Sequence, residues 1–179
     1  MQPIRIIPRF DAYLVSRGLS LEAIATGGAA LALLGIIQRE TRDCDLIEPE
    51  LSASMRSAAM AFAADLRGQG EILRDDWLNN GPASLGPLLP DGWRTRLQGI
   101  YQGQAIRLWS LGRPELLLVK LWALCDRGLD LGDCLALAPD ASELAVAEAW
   151  VVRQDLNPEW PAHVRATLSD LATRLGHGV

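Results

Sequence analysis

Lysine is almost missing from this chain of 179 residues: Lys120 is the only one, and arginine supplies the other 16 of the 17 basic residues. Because 22 acidic residues outweigh them, the net charge is −5. The chain therefore lacks the excess positive charge with which proteins hold nucleic acid over a broad surface. This composition excludes a general nucleic-acid-coating protein and restricts any contact with a polyanion to a local site.

Cysteine, histidine and long apolar runs are scarce as well. The three cysteines show no C-x-x-C spacing and the two histidines no ligand spacing, so neither a disulfide framework nor a zinc site is indicated. The longest uncharged run, residues 23–38, contains three glycines and is shorter than the roughly 20 apolar residues of a membrane span. The first residues lack the apolar stretch of a secretory signal. We therefore predict a cytoplasmic protein with no membrane segment.

Hydrophobic periodicity indicates helices mixed with strands up to about residue 111 and almost only helices beyond it. The pattern predicts helices over 8–16, 29–34 and 52–67, strands over 22–26, 43–47 and 104–111, and short strands among turns within 71–103. Further helices are predicted over 113–127 and 131–137 and from residues 140 and 157. The predicted fold class is α+β: a small mixed-sheet core, residues 1–111, with a C-terminal helical bundle, residues 112–179, packed on it.

Two short motifs together indicate a binding site. Gly27 and Gly28 separate a strand from a helix, and such a turn exposes backbone N–H groups that suit a phosphate. Asp43 and Asp45 alternate along a strand, so their carboxylates lie on one face and repel each other. A divalent cation would neutralise them, and oxygen ligands of this kind select Mg²⁺ or Mn²⁺. The sequence thus predicts a metal site at the two aspartates and a nucleotide phosphate tail at the glycines.

The residues that carry these motifs resemble a known signature. It runs Thr26-Gly27-Gly28-Ala29-Ala30-Leu31, Gly35, Arg39, Thr41, Asp43, Asp45 and Leu46. This arrangement resembles the nucleotidyltransferase superfamily related to DNA polymerase β, and especially small bacterial abortive-infection and toxin–antitoxin nucleotidyltransferases. A later segment from Asp76 to Asn79, and a helix with a central lysine that leads into an acidic helix, are similar too. The resemblance implies that the glycine turn binds an NTP and that the paired aspartates hold the metals.

Lys120 belongs to that later helix. Residues 116–124 are apolar at eight of nine positions, so the helix is predicted to be buried nearly all round. A buried ammonium needs a partner, and Lys120 is expected to meet carboxylates or a bound phosphate, unless its long stem carries it to water. The resemblance implies that Lys120 approaches the nucleotide phosphates and takes part in catalysis.

Other positions leave alternatives open. Arg39 and Arg42 are either solvated charges or ligands of the triphosphate. Polymerase-like members use a third carboxylate on a neighbouring strand, but the strand predicted over residues 104–111 carries Arg107 and Trp109 at its central positions. The alternatives for a third carboxylate are Asp75, Asp76 and Asp133, and the sequence does not choose among them. Of the six tryptophans, Trp109 is the candidate exception to a packing role.

The predicted function is Mg²⁺-dependent transfer of a nucleotide from an NTP to an RNA or protein acceptor. The main alternative is a catalytically inactive relative that keeps the pocket and acts as a binding or antitoxin-type partner in a toxin–antitoxin pair. A phosphatase or a sugar transferase is a third reading, because both classes also use Asp-x-Asp. The missing third carboxylate is the feature that separates the first two readings.

Overall fold

Five strands form one mixed sheet in the computed structural model, which describes residues 1–177. Residues 178 and 179, at the end of the predicted helical region, lie outside the described residues. The chain divides into two compact units, Met1–Gly112 and Arg113–Val179. The first unit contains α1 (Pro3–Val15), β1 (Leu21–Thr26), α2 (Gly27–Leu33), β2 (Cys44–Glu48), α3 (Ala53–Gly68), β3 (Leu78–Asn79), two 3-10 helices (Gly81–Leu88 and Trp93–Arg96), β4 (Gln98–Gln102) and β5 (Ile106–Ser110).

The strand order of the sheet is β3-β2-β1-β5-β4. The central strand β1 runs antiparallel to β2 and parallel to β5, and an irregularity in β2 places Glu48 opposite Ile24 and Asp45 opposite Thr26. Alternate residues of a strand share a face. Ala23 and Ala25 therefore lie on one face, whereas Ile24 and Thr26 lie on the other, together with Asp45.

The core of the first unit combines the helices with the buried face of the sheet. Phe10 of α1 packs against Phe62 of α3 and against Trp77, with ring centroids 5.1 and 5.0 Å apart. These side chains are 0–4% exposed. Fully burying such apolar side chains stabilises a fold by about 1.5–3 kcal/mol each, so this cluster fixes α1 and α3 against the strand β3 that Trp77 precedes.

A buried carboxylate fixes the start of β5. Asp11 of α1 accepts hydrogen bonds from the backbone N–H groups of Gln104, Ala105 and Ile106 at 3.1, 2.9 and 2.7 Å. A Cβ atom at Gly103 would overlap this carboxylate, so only glycine fits there. Three donors compensate the burial of the Asp11 charge and hold the incoming strand in register with β1.

Most of the predicted elements of the first unit are confirmed, with shifted ends. The opening helix begins at Pro3 rather than residue 8, α2 begins at Gly27 rather than residue 29, and β2 begins at Cys44, so that Asp43 immediately precedes the strand. The region 71–103 was the least accurate prediction. Beside the two-residue β3 and the strand β4 it contains two 3-10 helices, because proline and glycine turns fold there as helical turns.

The second unit consists of helices. They are α4 (Arg113–Arg127), α5 (Leu131–Leu137), α6 (Ala141–Val151) and α7 (Trp160–Arg174), with a 3-10 turn at Val152–Gln154. The helix predicted from residue 140 begins with a capping box: the Asp140 side chain accepts from the Glu143 N–H, and the Glu143 side chain accepts from the Asp140 N–H. Trp122 and Trp150 meet edge to face at 6.0 Å. Among residues 1–177, no helix is long and apolar enough to cross a membrane.

Candidate functional site

The glycine turn lies against the Asp-x-Asp segment at one end of β1. Gly27 has a φ of +70°, in the left-handed region that only glycine adopts at low cost. A Cβ atom built on Gly27 would lie 2.8 Å from Oδ2 of Asp45. Any side chain at Gly27 would therefore collide with the Asp45 carboxylate. The structure brings together two motifs that are separated by fourteen residues in the sequence.

Asp45 is half-buried and held by a neighbour from β3. The Nδ2 group of Asn79 donates a hydrogen bond to Asp45 Oδ1 at 3.1 Å. The amide is itself oriented, because its Oδ1 accepts from the Gly81 N–H at 2.7 Å. Asn79 stands opposite Asp45 in the parallel pairing of β2 with β3. This contact fixes one oxygen of Asp45 while its other oxygen faces Gly27.

Thr26 is the cross-strand neighbour of Asp45 on the other side. It is 2% exposed, and its hydroxyl oxygen is buried without a hydrogen-bond partner among the residues that the structure describes. It also precedes α2 without capping that helix through its side chain. Buried hydroxyl groups are almost always hydrogen-bonded in native proteins, so this oxygen on the cross-strand neighbour of Asp45 is an exception to the usual pattern.

Asp43 is half-buried and precedes β2. The Thr41 hydroxyl donates to the Asp43 backbone carbonyl at 3.2 Å, which orders the approach to the strand. Between the two aspartates lies Cys44. Burial, and then the charges of Asp45 and Asp43, raise the pKa of the Cys44 thiol to about 12. Cys44 is therefore a neutral packing residue, and the negative charge of this segment belongs to the two carboxylates.

Gly28 is crowded from a different direction. A Cβ atom at Gly28 would lie 2.8 Å from Cγ2 of Thr41 and 3.7 Å from Nη2 of Arg39. Arg39 is exposed, and its Nη1 donates to the Glu40 carbonyl at 3.3 Å. The guanidinium of Arg39 thus lies beside the glycine turn, as a triphosphate ligand would. Arg42 is exposed, and its predicted role stays a prediction.

The oxygen donors of the site fit a divalent cation whose coordination shell is completed by substrate phosphates and water. Mg²⁺ is usually held by one or two carboxylates together with substrate phosphates and water. Asp43 and Asp45 supply that number of carboxylates, and the unpartnered Thr26 hydroxyl is a neutral oxygen of the same class. Within residues 1–177, no group of three or more His, Cys, Asp or Glu side chains forms a metal-binding cluster. The two carboxylates and the hydroxyl are thus the candidate oxygen donors at this end of β1.

The strand that could supply a third carboxylate is β5, which pairs with β1 in parallel. On β5, Arg107 lies opposite Glu22 of β1 and Trp109 lies opposite Ile24. Arg107 and Trp109 are both exposed. At the two central positions of this face, β5 thus presents a cation and an indole ring instead of an acid.

Lys120 lies on α4 of the second unit. Its ammonium contacts Oδ1 of Asp130 at 2.7 Å and Oδ2 of Asp133 at 2.6 Å, and the residue is 6% exposed. Burial alone would lower the pKa of Lys120, but the hydrogen bonds and charges of the two aspartates outweigh it and raise the pKa. The expected carboxylate partners are therefore confirmed, and the alternative of a side chain reaching out to water is wrong. The predicted role in catalysis and phosphate binding stays a prediction.

The fold and the site together define the class: an α+β protein with a mixed sheet, a glycine turn and an Asp-x-Asp segment in the arrangement of a small nucleotidyltransferase. Residues 5–134 match the model of a family described as nucleotidyltransferase of unknown function (DUF6036). The match covers more than half of the chain and includes both motifs, so the protein belongs to this family. Searches of curated proteins and of solved structures returned no significant match. The predicted superfamily is confirmed, whereas the toxin–antitoxin resemblance stays a prediction.

Two residues of the site had no role in the sequence analysis. Asn79 and Thr26 both belong to segments that resemble the superfamily, but only the sheet pairing shows that they flank Asp45 from opposite sides. A polar residue at the end of a very short strand is a weak signal, because asparagine is common in turns. The run Asn79-Asn80-Gly81-Pro82 therefore predicted a turn and no ligand contact.

Proposed function

We propose that this protein transfers a nucleotide from an NTP to an acceptor hydroxyl, with Mg²⁺ or Mn²⁺ held by Asp43 and Asp45. The observation that carries the proposal is the close approach of Gly27 to Asp45, at 2.8 Å from the position of a Cβ atom to the carboxylate oxygen. Because Gly27 has no side chain, the Asp45 carboxylate packs directly against the glycine turn, so a cation bound by Asp45 and a phosphate bound by the backbone of the turn would meet at one place.

In this proposal each residue around Asp45 has a physical role. Gly27 and Gly28 let the phosphate tail approach the backbone, and Arg39 adds a cation beside the turn. Asn79 orients the Asp45 carboxylate, and the Thr26 hydroxyl binds a ligand oxygen. The metal, when bound, neutralises phosphate charge. A role of Lys120 in phosphate binding stays a prediction, because Asp130 and Asp133 of its own unit already neutralise its charge.

The proposed reaction is a substitution at phosphorus. The acceptor oxygen forms a bond to the α-phosphorus of the NTP, the bond from that phosphorus to the bridging oxygen breaks, and pyrophosphate leaves with the electron pair. The acceptor proton passes to a carboxylate of the site and from there to water. Asp43 and Asp45 are the carboxylates at this place, since β5 adds none on its face.

Transfer of label from α-³²P-labelled NTPs tests the proposal directly. Purified protein with MgCl₂ is expected to label an acceptor in a cell extract, and Asp45→Asn is expected to abolish the labelling. Asp65→Asn is the matched control, because Asp65 is an exposed carboxylate on α3 of the same unit. Labelling that survives Asp45→Asn at the wild-type rate would reject this site.

The face of β5 favours a second candidate function. Because Arg107 and Trp109 occupy the positions where a third carboxylate would lie, the protein can be a relative that binds nucleotide without transferring it, as an antitoxin-type partner would. Calorimetry with ATP and MgCl₂, together with the labelling assay, separates the two candidates. Tight binding in calorimetry without labelled product supports the binding protein, and labelled product supports the enzyme.

A further inference from the structure

An open groove lies on the sheet face that carries Asp45. It has a volume of about 730 Å³ and is built entirely from the first unit. Its lining residues are Glu22, Ala23, Ile24, Glu48, Pro49, Arg94, Leu97 and Trp109. The groove thus combines an aromatic ring, aliphatic side chains and charged groups, which is the composition of a ligand site rather than of a simple surface depression.

The strand register places this groove next to the candidate catalytic site. Thr26 is paired with Asp45, and Ile24, two residues earlier on β1, is paired with both Glu48 and Trp109. Two residues of a strand span about 6.6 Å, and neighbouring strands lie about 4.8 Å apart. A molecule in the groove would therefore lie about 6.6 Å along β1 from the level of Asp45.

Trp109 is the one exposed tryptophan of the six, all of which lie in the described part of the chain, with 38% of its surface exposed. The other tryptophans are buried or half-buried, as packing residues are. An exposed indole that lines a groove is accessible to a ligand, and aromatic rings attract cations and planar groups.

The charges of the groove favour a positive ligand. Glu48 is neutralised by Arg94, which binds both of its oxygens at 2.9 Å and also stacks over the Trp93 ring at 4.3 Å. Glu22 is exposed and forms no ion pair within the described residues, although Arg107 is its cross-strand neighbour on β5. The carboxylate of Glu22 thus lines the same groove as the Trp109 ring without an ion-pair partner among the described residues. A carboxylate and an indole ring together bind ammonium or guanidinium groups and disfavour phosphates.

We propose that this groove is the acceptor site, and that it binds a basic segment of a protein whose arginine or lysine side chain lies on Trp109 and pairs with Glu22. This inference rests on the proposed function and selects a basic polypeptide over RNA as the acceptor. RNA is the disfavoured acceptor because the carboxylate of Glu22 would repel its phosphate backbone. Arg94 does not offset this repulsion, because its charge is already neutralised by Glu48.

Binding without nucleotide or metal tests the groove apart from catalysis. The probe is a fluorescein-labelled peptide of ten residues with alternating arginine and serine, measured by anisotropy in 50 mM salt. Glu22→Gln and Trp109→Leu are each expected to weaken binding about two- to fivefold, which is the size of an exposed ion pair or cation–π contact. Asp65→Asn is the matched control and is expected to leave the affinity unchanged.

Three results would overturn the inference. These are equal affinity of wild type and Glu22→Gln for the peptide, tighter binding of a ten-residue oligouridine than of the peptide, and competitive displacement of the peptide by ATP. Glu22 is exposed, so its substitution keeps the test valid even if Trp109→Leu unfolds. Peptide binding that needs Glu22, in a protein that never labels any acceptor, would support the groove while refuting the proposed transfer reaction.

Discussion

Replacement of Gly27 by alanine has two expected effects, a backbone cost at the turn and a displacement of the Asp45 carboxylate, and comparison with Gly35→Ala separates them. The new residue would keep a φ near +70°, which costs an L-residue about 1–2 kcal/mol. Its Cβ would also meet Asp45 Oδ2 at 2.8 Å, so the carboxylate has to move by several tenths of an ångström. We therefore expect both a less stable fold and a displaced metal ligand.

Gly35 provides a matched control. It has a φ of +75°, and nothing lies within 4 Å of the position of its Cβ atom. Gly35→Ala thus carries the same backbone cost without touching Asp45. Both variants are expected to melt about 2–8 °C below wild type, since 1 kcal/mol shifts the melting temperature of a chain of this size by about 2–4 °C.

The assay is calorimetric titration of each folded variant with ATP in the presence of MgCl₂. Gly27→Ala is expected to weaken binding up to about a hundredfold, because small displacements of a positioning group have effects of this order, whereas Gly35→Ala should bind like wild type. Equal affinities of the two alanine variants would refute the reasoning that the glycine turn and Asp45 share one ligand.

Three further predictions concern neighbouring features. Asn79→Leu removes the hydrogen bond to Asp45, and we expect ATP and Mg²⁺ binding about 10–100-fold weaker by calorimetry with an unchanged circular dichroism spectrum; an unchanged affinity would count against this role. Lys120→Met removes the ammonium that pairs with the buried Asp133 and the half-buried Asp130, and should cost about 3–5 kcal/mol in urea unfolding, against at most about 1 kcal/mol for Arg174→Met in an exposed ion pair; similar losses would contradict the burial of this network. The pKa of about 12 leaves the Cys44 thiol about one part in ten thousand ionised at pH 8, so a thiol reagent should label it only after denaturation, and rapid labelling of the native protein would show that β2 opens.

Much of the fold followed from local patterns. The strand β1, the turn after it, the helix α3 and the helices α4 and α5 have periodic apolar residues and clear terminators, and the structure forms them within a few residues of the predicted ends. The region 71–103 could not be predicted equally well. Its conformation depends on contacts such as Asn80 Oδ1 with the Leu51 N–H at 2.7 Å, which join residues far apart in the sequence.

Composition and short spacings were enough to predict most helices and strands, the scarcity of lysine, and the residue types of the site. Which of these groups meet depends on the fold. The sheet order β3-β2-β1-β5-β4 places Asn79 and Thr26 on either side of Asp45 and brings Trp109 to the same face. The partners of Lys120 were likewise decided by helix packing in the second unit. Pairing between strands and packing between helices join residues that no local pattern relates, so the contacts of the site belong to the fold and not to the motif.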